Sequence, residues 1–85
     1  IVAYFEIPKS ATKTKRAEMR AGLTYPTKRP DGDNICKAVL DALNGLAFKD
    51  DAQVCELSIT KRWADEASVR VEIKALVETF AEVAA

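Results

Sequence analysis

The chain has 85 residues, 48% of them hydrophobic, and its 13 basic and 13 acidic side chains cancel to a formal net charge of zero. That length suits one small domain, which buries a modest share of its surface and gains from a partner subunit, while the composition excludes global disorder. With no histidine, two isolated cysteines, and no signal peptide or membrane-length apolar run, the usual zinc sites are excluded and a cytoplasmic setting with reduced, core-packed cysteines is expected.

Residues 1–7 (IVAYFEI) are rich in β-branched and aromatic types and stop at Pro8, the pattern of a strand. This apolar run opens at Ile1 with no methionine, so an N-terminal piece is expected to precede it. Residues 10–21 contain no Gly or Pro and close at Gly22, which predicts a basic helix with few apolar anchors. Pro26, Pro30 and Gly32 mark residues 23–32 as a loop. The clearest helix covers residues 33–44. Ile35, Val39, Ala42, Leu43 and Leu46 form its apolar stripe, Asp33 or Asn34 caps its start, and Gly45 marks its stop. Lys37, Asp41 and Asn44 fall on the polar face.

Residues 53–63 read as a strand, with Cys55, Leu57 and Ile59 alternating against Glu56, Ser58 and Thr60. After a polar turn at 64–67, residues 68–74 alternate again through Val69, Val71 and Ile73. The two segments are expected to form a β-hairpin with one buried face. Residues 75–85 carry Leu76, Val77, Phe80 and Val83 at helical spacing and predict a short docked helix. The predicted fold class is α+β: one small domain over residues 1–85, with a mixed sheet whose hairpin packs against helices.

The neutral average hides an asymmetry. Lys9, Lys13, Lys15, Arg16, Arg20, Lys28 and Arg29 face a single acid, Glu18, between residues 9 and 29. Asp31, Asp33, Asp41, Asp50 and Asp51 then follow against Lys37 and Lys49. A basic arm before an acidic cluster suits a chain that attracts polyanions and holds a cation, and it equally suits a solvated loop before an ordinary helix.

The acids form a constellation. Asp31-x-Asp33 precedes the clear helix, Lys37 lies one turn in, and Asp50-Asp51 follows it. If the hairpin packs beside the helix start, four carboxylates meet near one lysine. Hard cations take such oxygen ligands, Mg²⁺ using one or two carboxylates plus waters and phosphate oxygens. On residue types alone the structural alternative stands beside this one, with Asp33 as an N-cap and Asp50-Asp51 as turn residues. An EF-hand is excluded, because Ile35, Cys36 and Ala42 occupy positions that need a ligand, a glycine and a closing acid. Isolated glycines exclude a P-loop and a dinucleotide fingerprint, so no nucleotide cofactor is expected.

The run Lys28-Arg29-Pro30-Asp31-Gly32-Asp33-Asn34-Ile35-Cys36-Lys37-Ala38-Val39-Leu40-Asp41-Ala42-Leu43-Asn44-Gly45 resembles the signature of the RusA family of Holliday-junction resolvases. So does Lys49-Asp50-Asp51-Ala52-Gln53-Val54. The resemblance is dense over residues 28–54 and looser over the following strands. It implies a homodimeric, Mg²⁺-dependent endonuclease of bacteria or their phages, with Mn²⁺ as a substitute, that cuts four-way DNA junctions. It further implies Asp31, Asp33 and Asp51 as metal-binding catalytic acids, Asp50 as an accessory metal acid, Lys37 as the catalytic lysine, and Asn34 and Gln53 as supporting positions. Lys13, Lys15, Arg16, Lys28 and Arg29 would then contact DNA phosphates. Lys61 and Arg62 are weaker candidates, and Trp63, Tyr4 and Tyr25 are expected to pack rather than stack on bases. Two further readings stay open: a nuclease for other branched DNA, and a non-catalytic junction-binding module.

Overall fold

The structure is a computed structural model that describes residues 1–75. The β-branched opening segment forms β1 (Val2–Glu6), and it becomes the middle strand of a three-stranded sheet. On one side β1 pairs in parallel with β2 (Thr60–Ala64), Val2 beside Thr60 and Glu6 beside Ala64. On the other it pairs antiparallel with β3 (Ser68–Arg70), Ala3 beside Val69. Ladders on both edges explain why Ala3 is buried and why Ile7, just past the strand, is 2% exposed.

This topology corrects the expected hairpin. β2 and β3 are joined by residues 65–67 but do not pair, because β1 lies between them. The link has to cross two inter-strand spacings, roughly 10 Å, which three residues can span. Alternating patterns fix which face a side chain takes but not which strand lies beside it. Both strands are also shorter than expected. Residues 54–59 run past the start of the β1 ladder, and β3 stops at Arg70. The predicted buried face is open: Val69, Val71 and Ile73 are 53%, 38% and 55% exposed. Cys55, expected in the core, is exposed, while Cys36 is buried and free.

Two helices fill the crossover from β1 to β2. The basic helix α1 (Lys13–Arg20) starts at Thr12, whose hydroxyl accepts from the Lys15 amide at 3.2 Å. Its end is a Schellman motif. The Gly22 amide donates to Met19 O and the Leu23 amide to Glu18 O, with Gly22 at φ 76°. No α1 residue is buried, so polar ties hold it: Arg20 to Asp65 at 2.9 Å, and Arg16 to Pro8 O at 3.2 Å. The clear helix, α2 (Gly32–Leu43), buries Ile35 and Cys36. Its predicted stripe is buried only at the head, since Ala42 is exposed and Leu46, beyond the helix, is 84% exposed. Among the described residues no helix is long and apolar enough to cross a membrane. The helix predicted over residues 75–85 lies outside the described residues from 76 onward.

Candidate active site

The head of α2 is where the acidic motif gains its geometry. Asp31, rather than Asp33 or Asn34, is the N-cap, extended at φ −70° and ψ 154°. Its carbonyl receives the Ile35 amide at 3.0 Å, yet its carboxylate makes no capping bond. Asp33 lies in the first turn, where the helix dipole favours an anion, and accepts only from the adjacent Asn34 amide at 2.9 Å. Both carboxylates are exposed. Lys37, one turn on, is exposed too. Among the described residues the ion pairs are Arg20–Asp65 and Lys74–Glu72, so Lys37 is not spent on Asp33 or Asp41. At Gly32 an added Cβ would stand 3.7 Å from Ile59 Cγ2, so the motif lies directly over the segment entering β2.

The second acidic pair sits on a short 3₁₀ turn, Asp51–Gln53, and its members differ. Asp50 caps the turn, its Oδ1 accepting from the Ala52 amide at 3.2 Å. Gln53 returns its side-chain oxygen to the Lys49 amide at 2.9 Å and the Asp50 amide at 3.4 Å. Asp50 and Gln53 therefore hold the loop, and the Asp51 carboxyl bonds chiefly to its neighbour Asp50, with a lesser backbone contribution from Ala52. A hydrogen bond to Asp50 raises the Asp51 pKa above the usual carboxylate range, helped by desolvation and by the nearby negative charges of Asp50 and Asp41. Asp50 is lowered, first by its hydrogen bond with Asp51 and then by the Ala52 amide. Two carboxylates this crowded repel each other, and a cation would relieve that repulsion.

The expected meeting of four carboxylates does not form within these residues. Asp51 senses Asp41, on the far part of α2, whereas Asp33 is eight residues nearer the helix start. At 1.5 Å per residue that separation is about 12 Å, and a straight helix does not fold it away. Among the described residues no three Asp, Glu, Cys or His side chains form a group able to hold a metal ion. The pair Asp31 and Asp33 alone still fits a hard divalent cation by donor chemistry: two exposed carboxylates, only one oxygen of Asp33 engaged by the Asn34 amide, with room for waters and phosphate oxygens.

The basic residues divide in the same way. Lys13 and Lys15 are exposed on α1. Arg16 is half-buried and spends its guanidinium on Pro8 O and Lys9 O, so much of its capacity goes to holding α1. Lys28 Nζ stands 5.7 Å from the Trp63 ring centre and 6.0 Å from Phe5, and the Phe5 and Trp63 rings meet edge-on at 6.4 Å. Lys28 and Arg29 border a cavity of about 650 Å³ floored by Ala3, Phe5 and Ile35. Arg62 lies over Tyr25 at 5.7 Å. Trp63 is half-buried against Phe5, whereas Tyr25 stays 54% exposed beneath Arg62. Lys61 has a larger part than its sequence context suggested, its Nζ lying 4.8 Å from the Phe5 ring centre.

Comparison with known proteins gives these residues a context. A protein of Bacillus subtilis (strain 168) named Uncharacterized protein YqaN is 42% identical over 76 residues, covering 87% of this chain and 54% of that protein. The chain therefore spans about half the length of the curated relative it matches. No solved structure matches. Residues 1–74, which contain β1, both helices, the acidic segments and the sheet edges, match the family described as Endodeoxyribonuclease RusA, and the chain belongs to that family.

Proposed function

We propose that the chain is a divalent-cation-dependent endodeoxyribonuclease that cuts branched DNA, with the four-way junction as its first substrate. One observation carries this reading: in a RusA-family chain, Asp31 and Asp33 keep both carboxylates clear of capping bonds at the head of α2, with Lys37, which has no ion pair among the described residues, one turn away. Asp31 and Asp33 would hold Mg²⁺, or Mn²⁺ in its place; the family pattern adds Asp51 as a third acid, with Asp50 as its accessory partner, a pair that stands apart from the first two acids in this structure. When bound, the ion supplies Lewis-acid polarisation of the phosphodiester and a more acidic attacking water.

The protein's own groups account for the rest. Lys37 stabilises charge that develops on the phosphate during attack. Asn34 supports the helix head, and Gln53 supports the loop of Asp51. Lys13, Lys15, Lys28 and Arg29, with a lesser share from Arg16, grip backbone phosphates and give affinity without sequence preference. A homodimer suits a junction because a two-fold pair of sites matches two symmetry-related strands. A role in DNA recombination and repair in the bacterial cytoplasm, encoded by host or phage, follows from that substrate.

The test is cleavage of synthetic four-way junction, fork, flap and linear duplex with and without Mg²⁺. Junction nicking that needs the metal and is abolished by Asp33→Asn is the expected result. Preference for forks or flaps would shift the substrate. Tight junction binding with no cleavage across several metals would identify a non-catalytic module instead.

A further inference from the structure

The segment that delivers Asp31 is anchored at the buried Pro26 but has little to hold it from there to the helix. Among the described residues, residues 24–30 make no loop or turn backbone hydrogen bond, and residues 27–30 are exposed. One bond reaches the segment from elsewhere: Lys61 Nζ donates to Lys28 O at 2.6 Å, across 33 positions of sequence. Lys61 is half-buried, with its ammonium 4.8 Å from the Phe5 ring centre. It is therefore not a free surface arm. Two positions earlier, Ile59 lies beneath Gly32. Alternation puts positions 59 and 61 on the same side of the chain, so β2 and its approach support both ends of residues 28–32.

Lys28 and Lys61 both lean on Phe5, and among the described residues neither has a carboxylate partner. Two ammonium groups do not gather by mutual attraction. The ring and the Lys28 carbonyl hold Lys61 in place. We propose that Lys61 is a positioning residue: from β2 its ammonium fixes the approach to α2, and with it the heading of the Asp31 and Asp33 carboxylates. This rests on reading those two acids as the nuclease site.

The experiment compares the full wild-type chain with Lys61→Met and Lys61→Arg. Two quantities are measured: amide hydrogen exchange, segment by segment, and junction cleavage separated into kcat and metal-free junction affinity. In Lys61→Met, exchange over residues 35–39, the first hydrogen-bonded amides of α2, rises several-fold while β1 and α1 keep wild-type protection. The kcat falls by about 10²-fold, the cost of an ångström-scale misplacement, and junction affinity stays within about twofold. Lys61→Arg, which keeps a cationic donor, recovers most of both. Unchanged exchange, with weaker binding and a salt slope shallower by about one, would make Lys61 a DNA contact and overturn the proposal. Loss of protection throughout would assign Lys61 to the fold at large and also overturn it. If the wild type cuts no branched DNA, the nuclease reading falls, while local exchange still decides whether Lys61 holds the segment.

Discussion

Asp50 and Asp51 are adjacent and chemically alike, and the backbone separates their roles. Asp50 is lowered, so its contribution to stability is present above the ordinary carboxylate value and is lost as pH falls through its folded value. Asp51 is raised, so its contribution is present below the ordinary value and is lost as pH rises through its folded value. Asp50→Ala removes the acceptor and one repelling charge together. The Asp51 titration, followed by carboxyl-carbon NMR, is then expected to move down toward the ordinary range. A titration that stayed raised would put the cause on Asp41 and desolvation alone. For Lys37, replacement by Met is expected to lower single-turnover junction cleavage by about 10²–10³-fold with junction affinity nearly unchanged, the size of a lost transition-state contact. The identity of these acids was legible from sequence, because Asp31-x-Asp33, Lys37 and Asp50-Asp51 sit in a dense motif. Their grouping was not, because the rise of α2 divides them and no residue type encodes that distance.

The helix ends carry different strains, and two glycines separate them. Gly22 at φ 76° closes α1 in a conformation that other L-residues adopt at a cost. An added Cβ there meets only Arg62 Nη1 at 3.7 Å, so the strain in Gly22→Ala is backbone rather than steric. A loss of about 1 kcal/mol is expected, roughly 4–8 °C in Tm for a domain this size. Gly32 begins α2 without a positive φ, and its added methyl would find ordinary contact with Ile59. Gly32→Ala is therefore expected to leave thermal stability unchanged or raise it by about 0.4–1 kcal/mol. Both helices and β1 were legible within a few residues because capping chemistry and composition are local. The pairing of β2 and β3 was not. Cys55, Leu57 and Ile59 alternate as a strand would, yet residues 54–59 have no ladder to join, and the turn at 65–67 serves a crossing as well as a hairpin.

The described residues bury few large side chains. Ala3, Ile7, Ile35 and Cys36 make up the hydrophobic core, while Leu57, Val69, Val71 and Ile73 remain open to solvent. So small a core gives limited stability on its own. Self-association would cover some of that apolar surface, and it would make the melting temperature depend on protein concentration. A Tm that rises across a hundredfold dilution series toward higher concentration, with a matching mass by sedimentation, is the expected result. A flat Tm with a monomer mass would remove the dimer from the proposed function. The central place of β1 sets a further condition on this molecule. Val2 pairs with Thr60 on one side and with Arg70 on the other. As the chain leaves the ribosome, β1 therefore emerges well before β2 and β3 and stays without either neighbour through the synthesis of both helices and the acidic loops. Such long-range pairing is slow to form, and an unpaired strand edge is prone to wrong partners. In the cell, the yield of this protein will depend on how well β1 is kept from other nascent chains until residues 60–70 arrive.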